Sequence, residues 1–505
     1  MTDNVQIETW MRHEASRAKA RTGVDVFDLL MASFGRVVAK ELKRLGGSDL
    51  GRDLEIDSFG RYIDHIIDWL VAAKMRNEEW LSRVDSEGRP KKLMKLGTVP
   101  QMVAEANKAM RKRLNDGADL ASSEGAELVH DCGGGYGIFK LTSASALDHE
   151  GFEMGHCVGQ GAYDQGVADG RLAIFSVRDR FGKSHVTVEV DLLRQEVNQI
   201  KGKQNELPKA EYMRLLIGWL DPAWSIGKED LPFGFAVDRT RRLVDLTALK
   251  PGDVFDGDLS FRSSDCEPDE YHVPIAEGVV VKGWLTVTGP DPLERLRAGR
   301  GGSHGVLQRV VLPRGLNATG GLDLRFLRLH EEKLAIEGGL NLSNCEVTKL
   351  PERVTSNACA FRRTFFDGVG GCTFGSTVTF YDCNHAKLDG VVFERSVTVR
   401  DCTKNCVDHR GAVTFGDGTV FRSILEVRDS EIGFEGTITC GNLVRFRYCH
   451  EVYMPDAMTV DGDFYAIESQ IDRMPPEFEV TGQYVDEGSV IAAEQANTAP
   501  TRKFG

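Results

Sequence analysis

From about residue 320 to 480 the chain repeats itself with a step of 18 to 20 residues, and that period restricts the fold more than any other feature of the 505 residues. One coil reads Leu340-Asn-Leu342-Ser-Asn-Cys345 with Leu350 five residues on, and the next reads Cys359-Ala-Phe361-Arg-Arg-Thr364 with Val369. The frame continues as Val378 to Cys383 with Leu388, Val397 to Cys402 with Val407, Val444 to Cys449 with Met454, and Phe464 to Ser469 with Met474. One longer interval lies around Asp408 to Phe421. A unit with one or two short strands and no helix cannot bury its apolar side chains alone, so the repeat predicts a β-solenoid in which each coil covers its neighbours. Cys345, Cys383, Cys402 and Cys449 occupy the place taken by Thr364 and Ser469 in other coils. They therefore read as a ladder of small stacked side chains rather than as metal ligands or disulfides.

Upstream the periodicity changes, and the chain reads as multidomain. Residues 1–125 form an α-helical N-terminal module, with helical spacing in Val26, Phe27, Leu29, Leu30, Phe34 and Val37 and again in Tyr62, Ile63, Ile66, Ile67, Leu70 and Val71. Asp57-Ser58 suits a cap for the second helix, Asp85 to Pro90 is a polar turn, and a third helix covers Gln101 to Leu114. The basic residues Lys91, Lys92, Lys95, Lys108, Arg111, Lys112 and Arg113 are read as a solvated face. Residues 126–220 form an α+β middle domain with an antiparallel meander, 221–319 an irregular β-rich linker with a loop from Arg295 to His304, 320–485 the solenoid and 486–505 a disordered tail.

A net charge of -14 excludes a dedicated nucleic-acid coat and leaves room only for a local basic pocket. No apolar run reaches the ~18 residues of a membrane helix, and the first residues lack the basic-then-apolar order of a secretory signal. The expectation is a soluble cytoplasmic protein with no membrane association. The eleven cysteines, odd in number and without a C-x-x-C pair, suit reduced thiols.

Chemistry concentrates in the middle domain. Met154 to Tyr163 places His156 and Cys157 among glycines, and the three strands that follow carry Ser176 and Arg178, then His185, Thr187 and Glu189, then Gln199 and Lys201. Alternation puts each set on one face, opposite Val186, Val188 and Val190. Adjacent side chains diverge, so His156 and Cys157 do not form a direct base–nucleophile pair. Two arrangements follow. In one, Cys157 is a nucleophile whose thiolate is favoured by His185. In the preferred one, His156 is the acid or base with Glu189 as its partner, Arg178 and Lys201 bind an anionic group such as a phosphate, and Cys157 is packed. Gln199, Asn205, Tyr163 and Ser176 are further substrate contacts. A metal site from His156, His185 and Glu189 lacks a spacing signature, so no metal is assigned and the cofactor is unknown. The glycine-rich run Cys132 to Gly137 departs from phosphate-loop spacing and reads as a turn.

Residues 141–206 resemble the PcfJ-like family of plasmid and phage proteins. The resemblance is carried by Met154, His156, Cys157, Val158 and Gly159, then Tyr163, Ser176-Val177-Arg178, Thr187 and Glu189, and the closing Gln199-x-Lys201-Gly202-x-x-Asn205. It implies a mobile-element or phage setting and an enzymatic domain, without fixing the reaction. The leading expectation is an enzyme acting on a phosphate-containing substrate, nucleic acid included. A second is a nucleotide-dependent group transferase whose polar cleft is formed by His156, Tyr163 and Glu189. A third is a non-enzymatic scaffold that binds a protein partner through the solenoid. The solenoid also resembles phage and bacterial tails with a Leu-Pro step, here Leu350-Pro351, Met454-Pro455 and Met474-Pro475.

Overall fold

The computed structural model describes residues 2–44, 52–116, 124–155, 158, 159, 161, 163–221, 223–226, 231–263, 269–291, 307–331, 335–403 and 411–492. The chain divides into two compact units, Met1–Asp245 and Leu246–Gly505. The N-terminal helices and the middle sheet thus belong to one unit, where their differing periodicities suggest two.

In the first unit, α1 (Thr2–Thr22) is followed by α2 (Phe27–Leu30), which passes through a π-helical turn at Met31–Gly35 into α3 (Arg36–Arg44). Next come α4 (Arg52–Met75), α5 (Lys91–Met94) and α6 (Val99–Asp116). Their apolar stripes meet in a core that includes Met11, Leu30, Phe34, Ile66, Trp69, Leu70 and Met102. Asp57 and Ser58 lie inside α4 and do not cap it, because Ile56, Phe59 and Ile63 already carry the helical spacing through them.

The sheet of this unit has the order β1 (Ala126–Gly133), β2 (Tyr136–Leu141), β3 (Leu172–Arg178), β4 (Ser184–Asp191), β5 (Glu196–Lys201) and β6 (Ser225–Ile226). Neighbours are antiparallel through β5, and β6 joins β5 in parallel. Within the glycine-rich run Cys132 to Gly137, Gly134 and Gly135 make the turn between β1 and β2. One face packs Val177, Val186, Val188, Val190, Val197 and Ile200 against Met213 of α9 (Ala210–Met213) and Leu216. The other face lies under α7 (Ala144–Met154), with Ala146, Leu147, Leu141 and Ile174 in a second cluster beside Tyr163. Tyr163 precedes the short α8 (Asp164–Ala168).

Two bulges set which side chains reach the α7 face. Arg178 pairs with Ser184 while Val177 pairs with Val186, so His185 is skipped. Glu189 pairs with Gln199 while Val190 pairs with Val197, so Asn198 is skipped. An extra residue of this kind breaks simple alternation. His185 consequently does not share a face with Thr187 and Glu189. It stacks on Tyr212, which packs against the valine face, at 4.3 Å between ring centroids.

The second unit is a parallel β-solenoid. Two eleven-stranded stacks run from Leu259–Arg262 to Tyr484–Val485 and from Glu270–His272 to Val490–Ile491. A third side is built from a four-stranded stack that starts at Val254–Phe255 and a seven-stranded stack from Arg353–Val354 to Glu477–Val480. Each full coil therefore has three strands, the third often only two residues long and too brief to register as a periodic signal. The ladder starts within the stretch that reads as a linker, because its first coils lack the cysteine marker and are unevenly spaced: Leu259 pairs with Leu285, and Leu285 with Leu322. It also extends into the expected tail, where Val490–Ile491 is a strand. Residues 493–505, like the whole run from Arg295 to His304, lie outside the described residues.

The cysteine ladder has a hydrogen-bonding reason. At one corner of each coil the residue before the ladder position has positive φ: 53° at Asn344, 48° at Arg363, 53° at Asp382, 54° at Asp401 and 50° at Asp429. The small side chain that follows satisfies polar backbone which the corner leaves inside. Thr364 Oγ1 donates to the Leu342 carbonyl at 3.0 Å and to that of Arg362 at 3.1 Å, and Cys345 Sγ donates to Leu324 at 3.2 Å. Ser430 Oγ accepts from the Cys402 N–H at 3.1 Å and donates to Arg428 at 2.7 Å, which fills the ladder position inside the longer interval. Buried backbone groups demand such partners, and a thiol or hydroxyl on one carbon is the smallest group that supplies them. Phe374, Phe393 and Phe421 stack along the interior at 5.3 and 5.1 Å. On the outside, Arg325, Ser343, Arg362, Tyr381, Arg400, Arg428 and Arg447 stand in register.

Burial pushes the thiols of Cys345 and Cys440 up to about 12 and that of Cys449 up to about 11. Since the thiolate is the reactive form, iodoacetamide at pH 8 is expected to leave these three unmodified in the native protein and to modify all three after denaturation. Peptide mass mapping checks both states.

Candidate functional site

The motif Met154 to Gly159 folds as it does for local reasons. Ser143 caps α7 by accepting the Ala146 N–H at 3.1 Å, and Gly155 ends the helix in the left-handed region at φ 71°, which favours glycine. Gly159 lies so close to α7 that a Cβ would fall 2.7 Å from the Asp148 Cα. Met154 and Val158 are buried in between. The glycines and apolar residues thus hold the chain against α7 at Gly155 and again at Val158 and Gly159, on either side of His156 and Cys157 in the sequence. Those two, with Gln160 and Ala162, lie outside the described residues.

Beside Val158 is a small cleft of about 10 Å³, whose walls include Asp68, Tyr163, Thr187, Glu189, Gln199, Lys201 and Asn205. That is room for roughly one water-sized group, so it suits the polar tip of a substrate rather than a whole ligand. Thr187 stands opposite Lys201, and Glu189 opposite Gln199. The bulge residue Asn198 turns its Nδ2 to Glu189 Oε1 at 2.7 Å. Gln204 and Asn205 have φ of 61° and 60°, two successive left-handed residues that are not glycine, a costly arrangement typical of functional turns. Asn205 Nδ2 is 2.8 Å from His65 Nδ1 on α4. The same helix supplies Asp68, so the N-terminal helices help to build the cleft. Gln199 is only 7% exposed, and its Nε2 has no hydrogen-bond partner among the described residues.

Arg178 and Ser176 are placed elsewhere. Arg178 is buried, with Nη2 3.2 Å from Glu150 Oε2 of α7 and Nε donating to Ser176 Oγ at 3.1 Å. Glu150 is fully buried and also accepts from Ser184 Oγ at 2.7 Å and Thr187 Oγ1 at 2.6 Å. Neither Arg178 nor Ser176 lines the cleft; Thr187, which does, shares Glu150 with Arg178. His185, on the far face, is bound by Asp179 Oδ2 at 3.1 Å. Burial works against ionisation of Asp179, but the hydrogen bonds from His185 and from the N–H groups of Phe181 and Lys183 hold its carboxyl below the ordinary range. Because His185 and Glu189 are on opposite faces, they do not form a shared ligand pair.

Glu150, Asn198, Asp68 and His65 did not stand out in the sequence, although two left traces. Glu150 sits three residues after Leu147 and four before Met154, an acid in the apolar stripe of α7. Asn198-Gln199 is a polar doublet between Val197 and Ile200, which breaks the period of two. Asp68 and His65 have no such marker.

Residues 85–217 match the family model described as PcfJ-like protein, a segment that starts at the turn before α5 and includes all of the cleft except its α4 contribution. No curated protein and no solved structure matches the chain.

Glu150→Ala would leave the Arg178 guanidinium buried without its carboxylate, and removal of one partner from a buried pair costs about 3–5 kcal/mol. Urea unfolding followed by tryptophan fluorescence should show that loss, since Trp219 packs 4.9 Å from Phe175 of the same sheet.

Proposed function

We propose that the PcfJ-like segment is a nucleotide-dependent group transferase whose polar cleft is formed by His156, Tyr163 and Glu189. Glu189 takes the proton from the acceptor nucleophile as its bond to the nucleotide's electrophilic centre forms. His156 gives a proton to the leaving group as that bond breaks. Gln199, Lys201 and Asn205 orient the substrate, Ser176 and Arg178 position the wall through Glu150, and Cys157 is a packing residue.

The observation that carries this reading is the convergence of Tyr163, Glu189, Gln199, Lys201 and Asn205 on one cleft, while the second cation, Arg178, is engaged by Glu150. A site built mainly to grip phosphate needs more positive charge than Lys201 offers beside Asp68 and Glu189. A nucleotide that places another part of itself in the cleft fits better. The resemblance supports a phage or mobile-element setting. The outward column of arginines with Tyr381 supports the solenoid as the protein-binding tail, since Arg and Tyr are the residue types enriched where partners are held.

Labelled nucleotides, RNA and DNA incubated with the full chain would test the enzymatic reading. Glu189→Gln and His156→Ala are each expected to lower turnover by about 10²–10⁴-fold, with circular dichroism and Tm unchanged. Wild-type rates in both variants, or no turnover of any of these substrates by the parent protein, would overturn it.

A further inference from the structure

We infer that the group received by this cleft is a neutral amide-type edge, a carboxamide or a nucleobase, rather than a free phosphate or carboxylate. The inference rests on the transferase reading for the identity of the site and names the chemistry that enters it. Its starting point is the Gln199 side chain, 93% buried with Nε2 lacking a partner among the described residues. A buried donor without an acceptor is rare in folded proteins and calls for a ligand that supplies one.

The neighbour across the strand pair defines the rest of that ligand. Glu189 is directly opposite Gln199, and opposite residues have Cβ atoms about 4.5–5.5 Å apart on the same face. Asn198 engages Glu189 Oε1, and a carboxylate, with about four acceptor positions, accepts several donors at once. The cleft therefore offers an amide N–H beside a carboxylate oxygen. The complement is a carbonyl or ring nitrogen beside an N–H, which a carboxamide and the edges of nucleobases carry on neighbouring atoms.

Charge points the same way. Among the described residues Asp68 and Glu189 line the cleft with Lys201 as the cation, so an entering anion meets their two carboxylates and one ammonium. A neutral edge satisfies Gln199 without that repulsion, whereas an ionised carboxylate or phosphate brings acceptors alone and has nothing to donate to Glu189.

Calorimetric titration of the full chain with benzamide and cytosine, against benzoate and inorganic phosphate, tests the inference. At least one amide-type probe is expected to bind tenfold or more tightly than either anion. Gln199→Leu and the same-sized Gln199→Glu are expected to weaken that binding by at least tenfold with unchanged Tm. Tighter binding of benzoate or phosphate, no binding of either amide-type probe, or full affinity in a folded Gln199 variant would overturn it. The comparison of probes on the unaltered protein decides the matter even if both variants fail to fold. Amide binding without turnover of any nucleotide sinks the transferase reading alone; turnover with phosphate as the tighter probe sinks this inference alone.

Discussion

A carboxylate removed from water must be surrounded by donors, and Glu150 draws them from β3 and β4 together: Arg178 from one, Ser184 and Thr187 from the other. This single group fastens α7 to the sheet. Through α7 it also supports Gly155, which closes the helix, and Gly159, which rests on the helix backbone. Through Thr187 it reaches the cleft wall. The most buried charge in the region is thus a support, and the cleft is lined one pair further along the strands, by Glu189 and Gln199.

The solenoid obeys a different constraint. Its coils are held by parallel, in-register strands, so like side chains recur above one another and each interior column must be compatible with itself. Phenylalanine satisfies this by stacking, and cysteine, serine and threonine satisfy it by closing backbone hydrogen bonds at the corner that follows a left-handed residue. The shared role explains why three residue types alternate at one position. A ladder site selects for small size and a hydrogen-bonding tip, which leaves sulfur and oxygen interchangeable.

Much of this was legible in the sequence because it is periodic. The 18-to-20-residue frame located the coils and the ladder, and the alternation of Val186, Val188 and Val190 located the buried face of β4. What escaped was aperiodic. The bulges at His185 and Asn198 each add one residue, which sent His185 to the far face and brought Asn198 to Glu189. Arg178 looked like a substrate contact because its partner is 28 residues away on a helix, where nothing local announces it. Asp68 and His65 lie still further off in sequence and outside the PcfJ-like match, yet Asp68 lines the cleft and His65 bonds to Asn205, which does too. A site assembled from strands can be read along the strands; the part contributed by a distant helix cannot.

The two kinds of β-structure respond in opposite ways to a change in chain length. A whole coil added to or removed from the solenoid preserves the registration of every column, so that unit has the means to vary in reach while keeping its construction. The meander has no such freedom. Loss of Val188 alone would make Thr187 and Glu189, which now share the cleft face, immediate neighbours and turn them to opposite faces, so that one of the two would leave the cleft. In this chain a missing single residue is a larger event in the small sheet than a missing nineteen in the large one.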